Sequence, residues 1–192
     1  MGPLSSIAIA LAVFAARTDA TTPSFLAQPN RVVAIVLPPG ILGDRAVREQ
    51  LAGGLTTTFI LAAHQRGSDV SGGARIEIRF DLWDEVWLVH RIEFDGRESH
   101  ERFASQQLLE KWWSAPTRII AAATQRASLT VSLTVLPFSI AEGKDAREWI
   151  ARSAGATPAE PRSSPFISAL IGTTLHAKAI RTDQWSADVV FP

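Results

Sequence analysis

The chain has no cysteine and no surplus of either charge. Without cysteine there can be no disulfide, no thiolate metal ligand, no cysteine nucleophile and no lipid attached through a thiol. The 19 basic residues equal the 19 acidic residues in number, so the chain lacks the excess of Lys and Arg through which nucleic acids and anionic membranes are recognised. We therefore expect no nucleic acid partner and a fold that is stabilised by packing.

The local motifs of common enzyme classes are also missing. The chain contains neither a Gly-x-Ser-x-Gly nucleophile motif nor a glycine-rich phosphate loop that opens a helix. Its histidines are dispersed, with no pair at the helical spacing of four residues: His64, His90, His100 and His176. The sequence thus predicts no catalytic residue, no cofactor and no metal site. A hydrolase that uses His90 or the acids between Asp81 and Glu85 is a third-ranked alternative.

The N-terminus suggests export from the cell. Residues 4–16 form an apolar stretch, which a polar segment follows at once. Its length suits a secretory signal and falls short of the roughly 20 residues of a membrane-spanning helix. We expect residues 1–20 to be a signal peptide or an N-terminal anchor, residues 21–30 to be a linker, and the protein to reside in the periplasm or cell envelope.

Two segments between Arg75 and Phe94 alternate apolar and polar residues, as the strands of an antiparallel hairpin do. A three-residue loop would pair Leu82 with Val86 and would place Glu77 opposite Arg91, and Arg75 opposite Glu93. A four-residue loop is disfavoured, because it would set Ile76 against Arg91 and mix apolar and charged residues on both faces. In the favoured register His90 lies on the apolar face beside Ile78, as a core histidine.

A second turn at Phe94-Asp95-Gly96 places Glu93 opposite Arg97 and has Gly96 in the left-handed conformation. The strand that follows, to Phe103, is densely charged, which is typical of a sheet edge. Further strands are predicted at 31–37, 55–66, 128–135 and 185–191, with Gly72-Gly73 in a loop. Helices are predicted at 44–51, at 105–113 and from a capping box at Ser139.

These elements predict one β-rich domain over residues 31–192, with a flexible connector at 154–165. A chain of 192 residues that is 46% hydrophobic can bury the core of such a domain. The expected fold is mainly β: an antiparallel β-sandwich or curved sheet of about seven strands with two or three short peripheral helices.

Four segments of the chain resemble a family of exported bacterial cell-envelope proteins of unknown function that have a β-rich body. They are Leu51-Ala-Gly-Gly-Leu-Thr-Thr-Thr-Phe59, Phe80-Asp-Leu-Trp-Asp-Glu-Val86, Leu136-Pro-Phe-Ser139 and the Arg147-Glu148-Trp149 helix. The resemblance implies a partner in signalling or envelope assembly. Its motifs are strand ends, turns and a helix cap, so it implies no catalytic residues.

The tip of the first hairpin is the candidate binding site. Trp83, Asp84, Glu85 and Trp87 form an acidic, aromatic turn, and exposed Trp is a common anchor of interfaces. We predict a non-enzymatic envelope module that binds a protein or membrane complex through this turn, with peripheral membrane association left open. The alternative is a small-molecule or lipid-binding sandwich whose cavity is lined by the Leu129–Val135 and Ile76–Leu82 faces.

Mass spectrometry of the mature protein tests the export prediction. A cleaved signal peptide would give an envelope-fraction chain that begins near residue 21, whereas an anchor would leave residues 1–20 in place in the membrane fraction. An intact chain confined to the cytosol would contradict export.

Overall fold

The computed structural model describes residues 22–138 and 179–192, and this part of the chain is mainly β. The helices are α1 (Arg45–Ala52) and α2 (Gln106–Trp113), with 3-10 turns at Pro29–Arg31 and Pro39–Ile41. The strands are β1 (Ser24–Gln28), β2 (Val32–Val36), β3 (Thr57–Gln65), β4 (Ser71–Asp81), β5 (Val86–Ile92), β6 (Glu98–Phe103), β7 (Thr117–Ala121), β8 (Arg126–Leu136) and β9 (Arg181–Val190).

The strands form two antiparallel sheets, in the orders β1-β2-β7 and β6-β5-β4-β3-β8-β9. Strand β7 contacts β3 and β4, and β1 contacts β9, so the small sheet covers one face of the large one. The predicted β-sandwich is confirmed, with nine described strands in place of about seven. The additional strands are β7 and β1, and β1 lies within the segment 21–30 that was expected to be a linker.

The core follows the alternation of the strands. In β8 the side chains of Leu129, Val131, Leu133 and Val135 are fully buried, while the intervening Ser and Thr residues face the other side. Strand β2 is central in the small sheet and carries four consecutive buried residues, as its unbroken apolar sequence predicts.

Both helices have a side-chain N-cap, and that of α1, Asp44, is the residue with which the predicted helix begins. The Asp44 carboxylate accepts the backbone N–H groups of Ala46 and Val47, and the Ser105 hydroxyl accepts that of Leu108. Each helix buries one apolar stripe, which includes Leu51 in α1 and Leu109 in α2. Residues of both helices line one cleft near the turn between β4 and β5.

The predicted register of the first hairpin is wrong by one residue. Asp81 pairs with Val86 across a four-residue turn, Ile76 pairs with Arg91, and Glu77 pairs with His90. One residue of shift exchanges the two faces of a strand, so Trp87 and Val89 face the core and His90 faces away from it. Val89 is part of the core and Trp87 packs against it, so the weak cross-strand charge pairs that favoured the other register do not determine the pairing.

This register places two charged residues on the core side of β5 and its continuation. The Arg91 guanidinium lies 5.1 Å from the centre of the Trp112 ring. Glu93 lies opposite Arg97, as predicted, but its buried carboxylate accepts the backbone N–H of Arg118 at 3.1 Å. Neither predicted pair, Glu77 with Arg91 or Arg75 with Glu93, forms.

Gly72 lies in β4, where the sequence predicted a loop. A Cβ atom at this position would collide with the backbone carbonyl oxygen of Ile119 in β7. The small sheet therefore approaches the large one backbone to backbone here, which only glycine permits. The predicted signal peptide, the capped helix at Ser139 and the connector at 154–165 lie outside the described residues.

Substituting Gly72 with alanine tests this close approach. We expect Gly72→Ala to lower the free energy of unfolding by about 1–3 kcal/mol in urea denaturation, because neither sheet backbone can give way without repacking. Gly43→Ala is the control, since the added Cβ would meet only ordinary van der Waals contacts there. Equal stability of the two variants would contradict the backbone contact.

Candidate functional site

The turn Leu82–Glu85 projects from the end of the large sheet and is ordered by a single carboxylate. Asp81 accepts the backbone N–H groups of Trp83 at 3.0 Å and Asp84 at 3.2 Å. Glu85 closes the turn in the left-handed conformation, with φ of 53°. The result is a defined backbone that holds the Trp83 side chain 96% exposed.

The same hydrogen bonds determine the ionisation of Asp81. The N–H groups of Asp84 and Trp83, with smaller contributions from Arg79 and Arg102, lower the pKa of the Asp81 carboxyl below its ordinary value of 3.8. Because the charged form is the one that the turn favours, the hydrogen bonds persist as long as Asp81 is ionised.

The other two acids of the turn have different surroundings. The Asp84 carboxylate forms an ion pair with Arg102 at 2.9 Å, and both side chains are largely exposed. Glu85 is exposed and has no ion pair among residues 22–138 and 179–192. The negative charge that the turn offers to another molecule is therefore that of Glu85.

A cleft of about 320 Å³ lies between the two helices and the strand ends that flank the β4–β5 turn. Phe80 and Trp87 lie 4.8 Å apart between ring centres and belong to its wall. The other lining residues come mostly from the two helices: Leu42, Arg48, Leu51, Ala52, Gln106, Leu109 and Glu110. The cleft is mainly apolar, with Arg48 and Glu110 as its charged groups.

Exposed apolar side chains lie within three residues of cleft residues along the chain. Leu82 is 62% exposed and lies against Gly54, whose neighbour Leu55 is 60% exposed. Leu108, half exposed, precedes the cleft residue Leu109. We call Leu55, Leu82, Trp83, Glu85 and the cleft the tip surface. Its chemistry suits binding, since it joins a protruding indole to an apolar depression.

The structure separates the four predicted site residues into two groups. Trp83, Asp84 and Glu85 are exposed in the turn, whereas Trp87 is half buried and lines the cleft below it. The contribution of α1 and α2 was missed, because no local pattern indicates which helices a hairpin tip will meet.

The two strand faces that were expected to line a ligand cavity are mostly packed in the core. The Leu129–Val135 face and Ile76 and Ile78 are packed in the core, and only Phe80 of those two faces lines the cleft. Two of the histidines, which the sequence places far apart, are neighbours in the structure. His90 and His100 stack with ring centres 4.2 Å apart, on the face of the sheet that points away from the core. The turn at Phe94-Asp95-Gly96, which was correctly predicted, was the signal that implied this pairing.

Comparison with protein families, with characterised proteins and with solved structures finds no match to this chain. Among residues 22–138 and 179–192, neither helix is long and apolar enough to cross a membrane.

Removing the Asp81 carboxylate tests how the turn is ordered. In Asp81→Ala we expect faster hydrogen exchange at the amides of Trp83 and Asp84, with protection of the β4–β5 ladder unchanged. Because the folded pKa is lowered, this stabilisation is present above pH 3.8 and is lost as the pH falls through the folded value.

Asp69→Ala, in the exposed loop between β3 and β4, is the matched control and should leave the tip amides unaffected. If Asp81→Ala exchanged at the wild-type rate, the carboxylate would not be what orders the turn.

Proposed function

We propose that this chain is a non-enzymatic, exported module of the cell envelope that binds a protein partner through the tip surface. One observation carries the proposal: Trp83 is 96% exposed on an ordered turn beside an apolar cleft. Exposure of the large, mostly apolar indole to water is unfavourable, and burial of the indole against a partner would lower the free energy.

The ordered turn also favours binding over accidental exposure. Asp81 restricts the backbone before a partner arrives, so less conformational entropy is lost on association. Trp residues that insert into a partner are frequent hot spots, with truncation costs of about 2 kcal/mol or more. Trp83 is therefore the residue on which affinity should depend most.

The charged residues of the tip surface indicate which kind of partner it would bind. Asp84 is already paired with Arg102, so Glu85 at the turn and Glu110 in the cleft are the acidic groups that a partner meets. A basic group next to an apolar segment of the partner would complement these two acids. The partner that fits is an envelope protein with an exposed apolar segment flanked by Lys or Arg.

The envelope location rests on the sequence. The apolar N-terminal stretch and the resemblance to exported envelope proteins both support it. Export brings the tip surface to periplasmic or membrane-bound partners, and peripheral association with a membrane complex is part of the same proposal.

A small apolar ligand or lipid is the second candidate occupant of the tip surface. The cleft volume of about 320 Å³ is at the lower end of small-molecule sites, and its lining is mainly apolar. A small ligand in the cleft would not explain why Trp83 is exposed, so a protein partner is favoured.

Site-specific photocrosslinking in the full chain tests the proposal. A benzophenone amino acid in place of Trp83 or Leu55 should give the same adduct with one envelope protein. The control position is Val190, which is 61% exposed at the far end of the sheet on β9 and should not give this adduct. The identified partner, once purified, should bind Trp83→Ala roughly 30-fold more weakly than wild type.

The other outcomes reject the proposal in distinct ways. Adducts within the chain itself would mean that another segment of this protein covers the tip surface. A lipid adduct at Leu55 without a protein adduct would favour the small-ligand alternative. An identical protein adduct from Val190 would show that the capture is non-specific.

A further inference from the structure

A second cluster of reactive side chains lies on the face of the large sheet that points away from the core. Glu77, His90 and His100 are directly paired neighbours across β4, β5 and β6, and they form a row. Glu98 lies on the same face as His100, two residues earlier in β6. The row is separate from the tip surface, since none of these four residues lines the cleft.

The backbone brings the two histidines close together. Glu93 donates its N–H to the carbonyl of Arg97, so these residues form a hydrogen-bonded pair. Hydrogen-bonded and non-hydrogen-bonded pairs alternate along an antiparallel ladder, which makes His90 and His100 a non-hydrogen-bonded pair, the type with the closest side chains. Their rings accordingly stack at 4.2 Å with 7° between their planes.

Three ligand atoms converge at this place. His90 Nε2 lies 3.3 Å from Glu98 Oε2, and one ligand atom each from His90, Glu98 and His100 lie within 4.8 Å of one another. Ligands about 2.0–2.2 Å from a tetrahedral Zn²⁺ are separated by roughly 3.3–3.5 Å. The first pair already has this separation, and the exposed side chains of Glu98 and His100 can rotate to complete the set.

Glu77 supplies the support that a histidine ligand needs. Its Oε2 atom lies 3.4 Å from His90 Nδ1, and its Oε1 atom lies 3.6 Å from Arg75 Nε. A proton on Nδ1 shared with Glu77 leaves the Nε2 lone pair free to bind a metal. Glu77 is mostly buried and His90 is three-quarters buried, so this arrangement is held in place by the sheet.

From this geometry we infer that His90, Glu98 and His100 bind a divalent transition-metal ion, Zn²⁺ being the ion tested, with Glu77 as the residue that orients His90. Two imidazoles and one carboxylate suit Zn²⁺, Ni²⁺ or Cu²⁺, whereas Mg²⁺ and Ca²⁺ prefer oxygen ligands alone. Three protein ligands leave the fourth position of a tetrahedral ion open to water. Of the cluster, His90, His100 and Glu77 also line a groove of about 260 Å³, to which Thr56, Arg79 and Leu88 contribute.

Metal titration of the untagged full chain tests the inference. After treatment with a chelator, the protein should bind one equivalent of Zn²⁺ in calorimetry, with a rise in Tm that depends on Zn²⁺ concentration. Co²⁺ in its place should give the strong visible absorption of a tetrahedral site. His90→Gln and His100→Gln should abolish this binding, and Glu77→Gln should weaken it about 10–100-fold.

The matched control is His64→Gln, because His64 is exposed on the same face of the sheet in β3, away from the cluster. It should bind Zn²⁺ like wild type, as should Trp83→Ala, which separates this inference from the proposed function. If His90→Gln does not fold, His100→Gln and Glu98→Gln, at exposed positions of an edge strand, decide the question. Failure of wild type to bind Zn²⁺ in stoichiometric amount, or equal loss in His64→Gln, would overturn the inference.

Discussion

The placement of Trp87 and His90 on opposite faces of β5 depends on one connection, the four-residue turn between β4 and β5. A strand has a side-chain period of two, so a turn that is longer or shorter by one residue would exchange the faces of β5. The Asp81 carboxylate holds this turn through two backbone N–H groups, and Glu85 closes it with positive φ. As a result Trp87 reaches the cleft and His90 reaches the opposite face.

The elements that were predictable are those with strong local signals. The alternation in β8, the capping residue Asp44 and the glycine of the second turn are local signals of this kind, and each predicted feature is found. Strands β1 and β7 were missed because each has five residues and no clear alternation. Their strand conformation comes from pairing with β2, which is a tertiary interaction that local sequence does not encode.

The register of the first hairpin shows why the candidate sites could be predicted only in part. Strand β5 is ambiguous, because Leu88 and Ile92 make one face apolar while Trp87 and Val89 do the same for the other. Charge pairs worth a few tenths of a kcal/mol favoured the wrong face. Burial of an aromatic or branched side chain contributes about 1.5–3 kcal/mol, but either register would bury such side chains, so the choice depends on the tertiary packing that Trp87 and Val89 find in the core. Arg91, which this register turns toward the core, packs against Trp112.

The two candidate sites are independent in chemistry but share a single strand. Trp87 lines the cleft from one face of β5, and His90, three residues on, joins the histidine cluster from the other face. An insertion or deletion of one residue in the turn would therefore displace both sites at once. Side-chain truncation at Trp83 keeps the turn length and leaves the Asp81 hydrogen bonds intact, because both donors are backbone N–H groups. Separate tests of the two candidate sites thus require side-chain changes that preserve the register of β5.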